Sequence, residues 1–341
     1  MRAQPRSWII GVGGNSLTSL RTVGFMSITA DTSTASQPDS ELRTIARIAV
    51  AVDGYPAGRD AAALGAALAR ATAAETMLVT IVSDPSAAPR WVGFEGLRDQ
   101  AEATLAEVRR ALVPDARVLV ESDASVARGL ERVVARERRD VLVIGSSRHA
   151  VQGRVRIGKR TRQLLGHTGC MLAVAPRGLH HRGEITFARI VVGYDARPEA
   201  EAALAVAASF ARVADALLTV CAVVDDRGIP PIDWSTLEGA PSVEERDRYV
   251  RVDVDLMRAS ARESGLAIDP EAEIDVRHGR PADALLEFSA AADLIVIGSR
   301  HWGPVARLLL GSTGEALLHD AHCPVLVVPR TDNRAAVAGN S

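Results

Sequence analysis

Two stretches of this 341-residue chain set glycines, a hydroxyl and basic groups at spacings that could hold a phosphate. In the second half, Gly298-Ser-Arg-His301-Trp-Gly303 leads, nine residues beyond His301, into Gly311-Ser312. In the first half, Gly145-Ser-Ser-Arg148 leads through another nine residues into Gly158-Lys159. Glycine lets backbone N–H groups approach an anion closely, and a helix N-terminus points its open N–H groups at negative charge. Ser312 adds a hydroxyl donor, whereas Lys159, the only lysine in the chain, would set a point charge on the anion. Asp53 and Asp195 each close an apolar run, where a carboxylate either accepts from a ribose hydroxyl or caps a turn. Arg148, Arg154, Arg156, Arg160 and Arg162 crowd around Lys159, as a solvated basic face or an anion-capturing one. His301 reads as a phosphate contact or as a surface side chain.

Other chemistries are poorly served. Cys170, Cys221 and Cys323 lie far apart with no CxxC pair, which fits neither a disulfide framework nor a zinc site. Each sits in or beside an apolar run, so buried reduced thiols and a cytoplasmic setting are expected. His149, His167, His180 and His181 have no carboxylate at metal-ligand spacing, and no metal site is assigned. No nucleophile–base pair or carboxylate dyad is legible, so a binder rather than an enzyme is expected. Gly153 to Gly158-Lys159 half-matches a Walker A loop, but Arg160 stands where the Mg²⁺-binding hydroxyl belongs.

The elements that must position these residues come in two copies. Ile48 to Pro56 matches Ile190 to Pro198, Asp140 to Ser147 matches Asp293 to Arg300, and Cys170 to Arg177 matches Cys323 to Arg330. The offset grows from 142 to 153 along the copy, placing an 11-residue insertion early in the second copy, within Ile229–Val243. In that copy short apolar runs (190–193, 217–224, 274–276, 294–297, 325–328) alternate with helical segments (198–213, 244–264, 281–292, 313–319). Gly265 is the expected C-cap of the 244–264 helix. The first copy repeats the order, with strands at 77–82, 118–120, 141–144 and 172–175 and helices at 99–113 and 125–139. Continuous apolar strands alternating with helices predict two tandem doubly wound α/β domains, each a five-stranded parallel sheet with helices on both faces. Ligands then bind beyond the carboxyl ends of the strands, where Asp53, Gly145 and Gly158 fall in one copy and Asp195, Gly298 and Gly311 in the other. The apolar edge strands 172–175 and 325–328 are expected to pair the halves as a pseudo-dimer.

From Ile45 to Arg330 the chain resembles the universal stress protein family in a tandem arrangement. Nucleotide-binding members of that family carry G-x-x-G, nine residues, then G-[ST] after strand four. The second copy keeps this register and its Gly311-Ser312 end, with His301 in place of the second glycine. The first copy has Arg148 for that glycine and Lys159 for the hydroxyl residue. The resemblance implies an adenine-nucleotide-binding regulatory protein, with ATP (and Mg²⁺ alongside it) held by Asp53, Gly145, Gly158 and Lys159 in one copy. In the other copy the corresponding set is Asp195, Gly298, His301, Gly303, Gly311 and Ser312. The salt-tolerant site is expected in the second copy, with a weaker, salt-sensitive one in the first. Two rivals stand beside this reading. One is a scaffold whose sites have decayed; the other is an ATP-cleaving enzyme of the same architecture. The SGGxDS-type loop of such enzymes is unlike Asp53-Gly-Tyr-Pro or Asp195-Ala-Arg-Pro.

Composition bounds the partners. A net charge of −2 argues against a strongly basic nucleic-acid binder, and no apolar run reaches the roughly 20 residues that a membrane helix needs. Hydrophobic residues at 47% suffice for real cores, and with aromatics at only 4% those cores must be aliphatic. The expected organisation is a disordered leader (1–44, with Met26 an alternative start), domains at 45–178 and 186–330, and a disordered tail (331–341). Assembly of copies beyond the internal pseudo-dimer is left open.

Overall fold

Strands that read as apolar throughout need helices over both faces, and the chain folds accordingly. The computed structural model describes residues 45–83, 94–158, 162, 169–225, 243–299 and 310–329. The leader, the tail and the insertion lie outside the described residues, apart from Val243 at the insertion's margin. The first half contains β1 (Arg47–Ala51), α1 (Pro56–Thr72), β2 (Glu75–Ser83), α2 (Phe94–Leu112), β3 (Arg117–Asp123), α3 (Val126–Arg136), β4 (Val141–Gly145) and β5 (Met171–Ala175). A 3-10 turn at Leu179–His181 opens the second half. There follow β6 (Arg189–Tyr194), α4 (Pro198–Ala214), β7 (Leu217–Val224), α5 (Val243–Ile268) and β8 (Glu273–His278). The half ends with α6 (Pro281–Ser289), β9 (Leu294–Gly298), α7 (Ser312–Asp320) and β10 (Val325–Val328).

The ten strands form one sheet in the order β3-β2-β1-β4-β5-β10-β9-β6-β7-β8. Each half is parallel throughout, and the halves meet in an antiparallel β5–β10 ladder, Val174 opposite Val325 and Leu172 opposite Val327. The two apolar edges thus close on each other, as their sequences lead one to expect. One face is covered by α1, α2, α4 and α5 through Leu64, Leu105, Leu204 and Ala261. The other carries α3, α6 and α7 through Leu130, Leu285 and Leu317. At the amino ends of the strands a repeated aspartate ties the sheet. Asp140 Oδ2 accepts from Ala46 and Arg47 N–H, and Asp293 Oδ2 from Ala188 and Arg189 N–H, all at 2.8–3.0 Å.

α2 begins at Phe94, ahead of the expected residue 99, and three helix C-termini depart from expectation by three residues or more for local reasons. α5 runs past Gly265 to Ile268, and Gly265 is a packing residue: a Cβ there would stand 2.8 Å from Ile274 Cδ1. α3 stops at Arg136 because Arg138 turns left-handed (φ 48). Arg138 N–H then bonds Ala135 O, and Arg139 N–H bonds Val134 O, a Schellman closure made without glycine. α6 ends at Ser289, whose hydroxyl donates to Leu286 O at 2.6 Å.

Candidate functional site

In the second half the helices leaving β6 and β9 go to opposite faces, opening a crevice at the carboxyl ends of these strands. A cavity of about 420 Å³ fills it. Its floor is Gly193 of β6, Cys221 and Val223 of β7, and Ile297 and Gly298 of β9. Pro281 and Leu285 of α6 form an apolar wall, facing Gly311, Thr313 and Gly314 at the start of α7. Asp195, Arg197 and Glu199 stand at the rim. A second cavity of about 810 Å³ shares Asp195, Arg197, Val223, Pro281 and Thr313, and reaches Ser312, Asp225 and the Asp253–Ser260 stretch of α5. Together they make one cleft, lined by Val223, Leu285, Ile297, Leu256 and Met257 and edged by the carboxylates Asp195, Glu199, Asp225 and Asp253.

The sequence places these groups through short local devices. Ala196, directly after Asp195, sits in the left-handed region (φ 56), as Gly54 does after Asp53 (φ 75). This turn points the aspartate outward before Pro198 opens α4. Asp195 lies 3.7 Å from Arg197 Nε, both half exposed. Behind them Tyr194 Oη donates to Glu201 Oε1 at 2.6 Å and lies 3.2 and 3.0 Å from the Ser260 and Ser264 hydroxyls, tying α4 to α5. Burial raises the Tyr194 pKa, and the Glu201 carboxylate raises it further. Burial likewise pushes the Cys221 thiol up to about 12, with Asp275 adding to it, so the sulfur on the floor is neutral. Cys170 and Cys323 are also buried free thiols pushed to about 12. At the α7 N-terminus Gly311 is the extended N-cap residue, and the first-turn N–H groups of α7 have no intrahelical acceptors.

The first half keeps the frame but uses it differently. Asp53 Oδ1 accepts from Tyr55 N–H at 3.1 Å, a turn-capping contact. Burial of the carboxyl raises its pKa, with the Tyr55 and Gly58 N–H groups opposing, although the residue as a whole keeps contact with solvent. The loop after β4 binds itself and its neighbours: Ser147 N–H donates to Arg156 O at 2.7 Å, and Arg156 N–H to Ser146 Oγ at 3.1 Å. Arg177 Nη1 is fixed on Arg148 O and Ala150 O, Arg156 Nη1 on His149 O, and Arg162 lies 3.7 Å from Glu315. Gly158 is open, with Ser147 Cβ at 4.0 Å from where a Cβ would be.

Of the residues singled out by sequence, the structure brings Asp195, Gly298, Gly311 and Ser312 together around one cleft. Lys159, His301 and Gly303 fall outside the described residues. Gly145 and Gly298 have a partner that sequence reasoning missed. A Cβ on Gly145 would lie 1.9 Å from Ala57 O, and one on Gly298 2.3 Å from Glu199 O, so each glycine admits the first turn of the leading helix of its own half. Also missed were Thr313, which lines both cavities, and the slot of Val223, Leu285 and Ile297. Thr313 carried a signal, as a second hydroxyl beside Ser312; the slot residues read only as core.

The profile of the universal stress protein family matches residues 44–176 and again 186–329. A universal stress protein of Mycobacterium tuberculosis is 31% identical over 198 residues, covering 55% of this chain and 61% of that protein. The chain therefore spans less than two thirds of the length of that relative. The universal stress protein in the QAH/OAS sulfhydrylase 3' region of Thermus aquaticus is 34% identical over 144 residues, covering 42% of this chain and 98% of its own length. Among solved structures, a universal stress protein from Archaeoglobus fulgidus superposes with a TM-score of 0.59 at 17% identity, covering 84% of this chain and 98% of that one. That likeness is one of fold.

Proposed function

The chain belongs to the universal stress protein family, and within it we propose an adenine-nucleotide-binding regulatory protein of the cytoplasm whose principal site is the second-half cleft. One observation carries the reading: a cavity of about 420 Å³ at the switch point, apolar on one side and bounded by a helix N-terminus on the other. The base would enter the slot of Val223, Leu285 and Ile297. Asp195 would accept a ribose hydroxyl. The phosphates would meet the first-turn N–H groups of α7, the Ser312 and Thr313 hydroxyls, and the loop carrying His301 and Gly303. Asp195, Glu199, Asp225 and Asp253 line the cleft against the single cation Arg197 among the described residues. ATP would therefore enter best with Mg²⁺ neutralising part of its charge. The neutral Cys221 thiol offers no nucleophile, which favours binding over covalent chemistry.

The first half is the lesser site in this reading. Among the described residues of its loop, the N–H groups of Ser147, Val155, Arg156 and Ile157 are engaged within the protein, leaving attraction by Lys159, Arg148 and their neighbours, which salt screens. Calorimetric titration with Mg-ATP at low and high salt tests the assignment. One binding event should survive high salt, and Gly311→Val should weaken it at least tenfold by filling the wall of the cleft. Lys159→Ala should remove only a weaker, low-salt event. High-salt affinity left intact in Gly311→Val would show the site to be elsewhere.

A further inference from the structure

Three carbonyls at the C-terminal end of α7 are held by groups from the first half, and a fourth, just beyond it, by Arg182 of the connection between the halves. Ile157 N–H donates to Leu318 O at 3.0 Å, and Val155 N–H to Ala321 O at 2.7 Å. Arg154 Nη1 reaches Asp320 O at 3.5 Å, and Arg182 Nη1 reaches His322 O at 3.4 Å. A helix leaves its last four carbonyls without intrahelical donors, and cations there complement its dipole. Val155 is fully buried, in the same apolar cluster as Leu318 and Ala321, so the contact is anchored in the core.

The segment making this clasp is the first half's own loop after β4, the counterpart of the loop that carries His301 and Gly303 in the second half. Its remaining ties run back to the first half, through Ser147 N–H to Arg156 O, Gly153 N–H to Arg177 O and Arg177 N–H to Arg154 O. It is thus fastened at both ends. α7 has nine residues, about 14 Å of helix, and its opposite end forms the wall of the second-half cleft through Gly311, Thr313 and Gly314. A helix this short and packed moves as a unit, so the placement of its C-terminal end fixes that of its N-terminal end.

We propose that Val155 and Ile157 are positioning residues for the second-half cleft, setting from the first half the stance of the helix whose N-terminus receives the ligand. The inference rests on the nucleotide reading of that cleft. It requires that nucleotide binding and clasp closure strengthen each other by the same factor, because coupling between sites is reciprocal.

The test uses the full chain. Amide hydrogen exchange at Val155 and Ile157 is followed with and without saturating Mg-ATP, with amides of β2 as the reference. Mg-ATP affinity is measured by calorimetry, well below the melting temperature, for Ile157→Pro, which removes the donor to Leu318 O. ATP should slow exchange at Val155 and Ile157 about tenfold more than in β2, and Ile157→Pro should weaken ATP by about the same factor. If Ile157→Pro does not fold, Arg154→Glu, which sets an anion beside Asp320 at the helix C-terminus, should weaken ATP about fivefold. A purely structural clasp would lower the melting temperature alone. Equal slowing in the clasp and in β2, or wild-type affinity in a folded clasp variant, overturns the proposal. Should Gly311→Val abolish binding while Ile157→Pro keeps it, the positioning role fails and the cleft reading stands. A wild-type chain that binds no ATP overturns both.

Discussion

At Gly145 and Gly298 two demands for an absent side chain coincide, one from the cleft and one from the helix that begins beside it. The second can be given a magnitude. Replacing glycine by alanine ordinarily stabilises a protein by about 0.4–1 kcal/mol, through the unfolded chain, where the native backbone tolerates a Cβ. At Gly145 the added Cβ would lie 1.9 Å from Ala57 O, a backbone atom that cannot swing aside. Overpacking of this kind costs about 1–3 kcal/mol or more, so the clash wins. Gly145→Ala should lower stability by about 3 kcal/mol in urea unfolding, the upper part of that range. Unchanged or increased stability would mean that α1 can withdraw from β4 without penalty. The same residues show what the sequence could and could not convey. Glycine at the end of strand four was legible as a demand for space, but residue type does not say whose space. Asp53 and Asp195 show the same limit: one identity in one register, yet Asp53 caps a turn through Tyr55 N–H while Asp195 faces a cleft beside Arg197. The difference lies in the neighbours at the next two positions, Gly-Tyr against Ala-Arg.

Elements were easier to read than residues, because an element is specified many times over. Apolar strands covered on both faces announce themselves through every side chain, and the strand segments expected from the two copies all appear in the sheet. Helix ends are specified by one or two residues, and there the reading slipped, taking Gly265 as a cap where it accommodates Ile274 and Val220. The β3–α3 turn is held in a way that pH can expose. Asp123 accepts from Ser125 N–H at 2.9 Å and pairs with Arg128 and Arg132 at 3.1 and 2.9 Å. The Ser125 N–H bond chiefly, then Arg128, holds its carboxyl below its ordinary pKa, against an opposing push from burial. A carboxylate whose folded pKa is depressed contributes stability above its unfolded pKa, and that contribution is lost as pH falls through the folded value. Asp123→Asn should therefore lower stability at pH 7, and the gap to the wild type should close below about pH 4. Urea midpoints measured across that range decide it; a constant gap would assign the Asp123 contribution to shape rather than charge.

On the scale of the whole molecule, the ten-stranded sheet solves an edge problem that neither half solves alone. Its outer strands carry charged residues, Arg117, Glu121 and Asp123 on β3 and Glu273, Asp275 and Arg277 on β8, a pattern that discourages further strand addition. The strands that meet inside, β5 and β10, carry none: Leu172, Ala173, Val174, Val325, Leu326 and Val327 are all buried at the seam. Covalent linkage between the halves is itself clamped. Asp60 of α1, almost fully buried, accepts Gly178 and His180 N–H at 2.8 and 3.1 Å, fixing the connecting turn against the first half. Cutting the chain within the connection near residue 183 would leave two fragments, each with a bare apolar edge and, in the second fragment, an α7 stripped of its carbonyl partners. Fragments 45–183 and 184–330, expressed separately, should therefore self-associate through those edges and, when mixed, exchange into a one-to-one complex. The mixed complex should be favoured over either self-pair, because only it restores the Val155–Ala321 and Ile157–Leu318 bonds along with the ladder. Sedimentation of each fragment and of the mixture distinguishes the outcomes. Two monomers that ignore each other would mean that the seam is held by tethering rather than by its own surface. Self-pairs that refuse to exchange would mean that the ladder, without the clasp, decides the pairing.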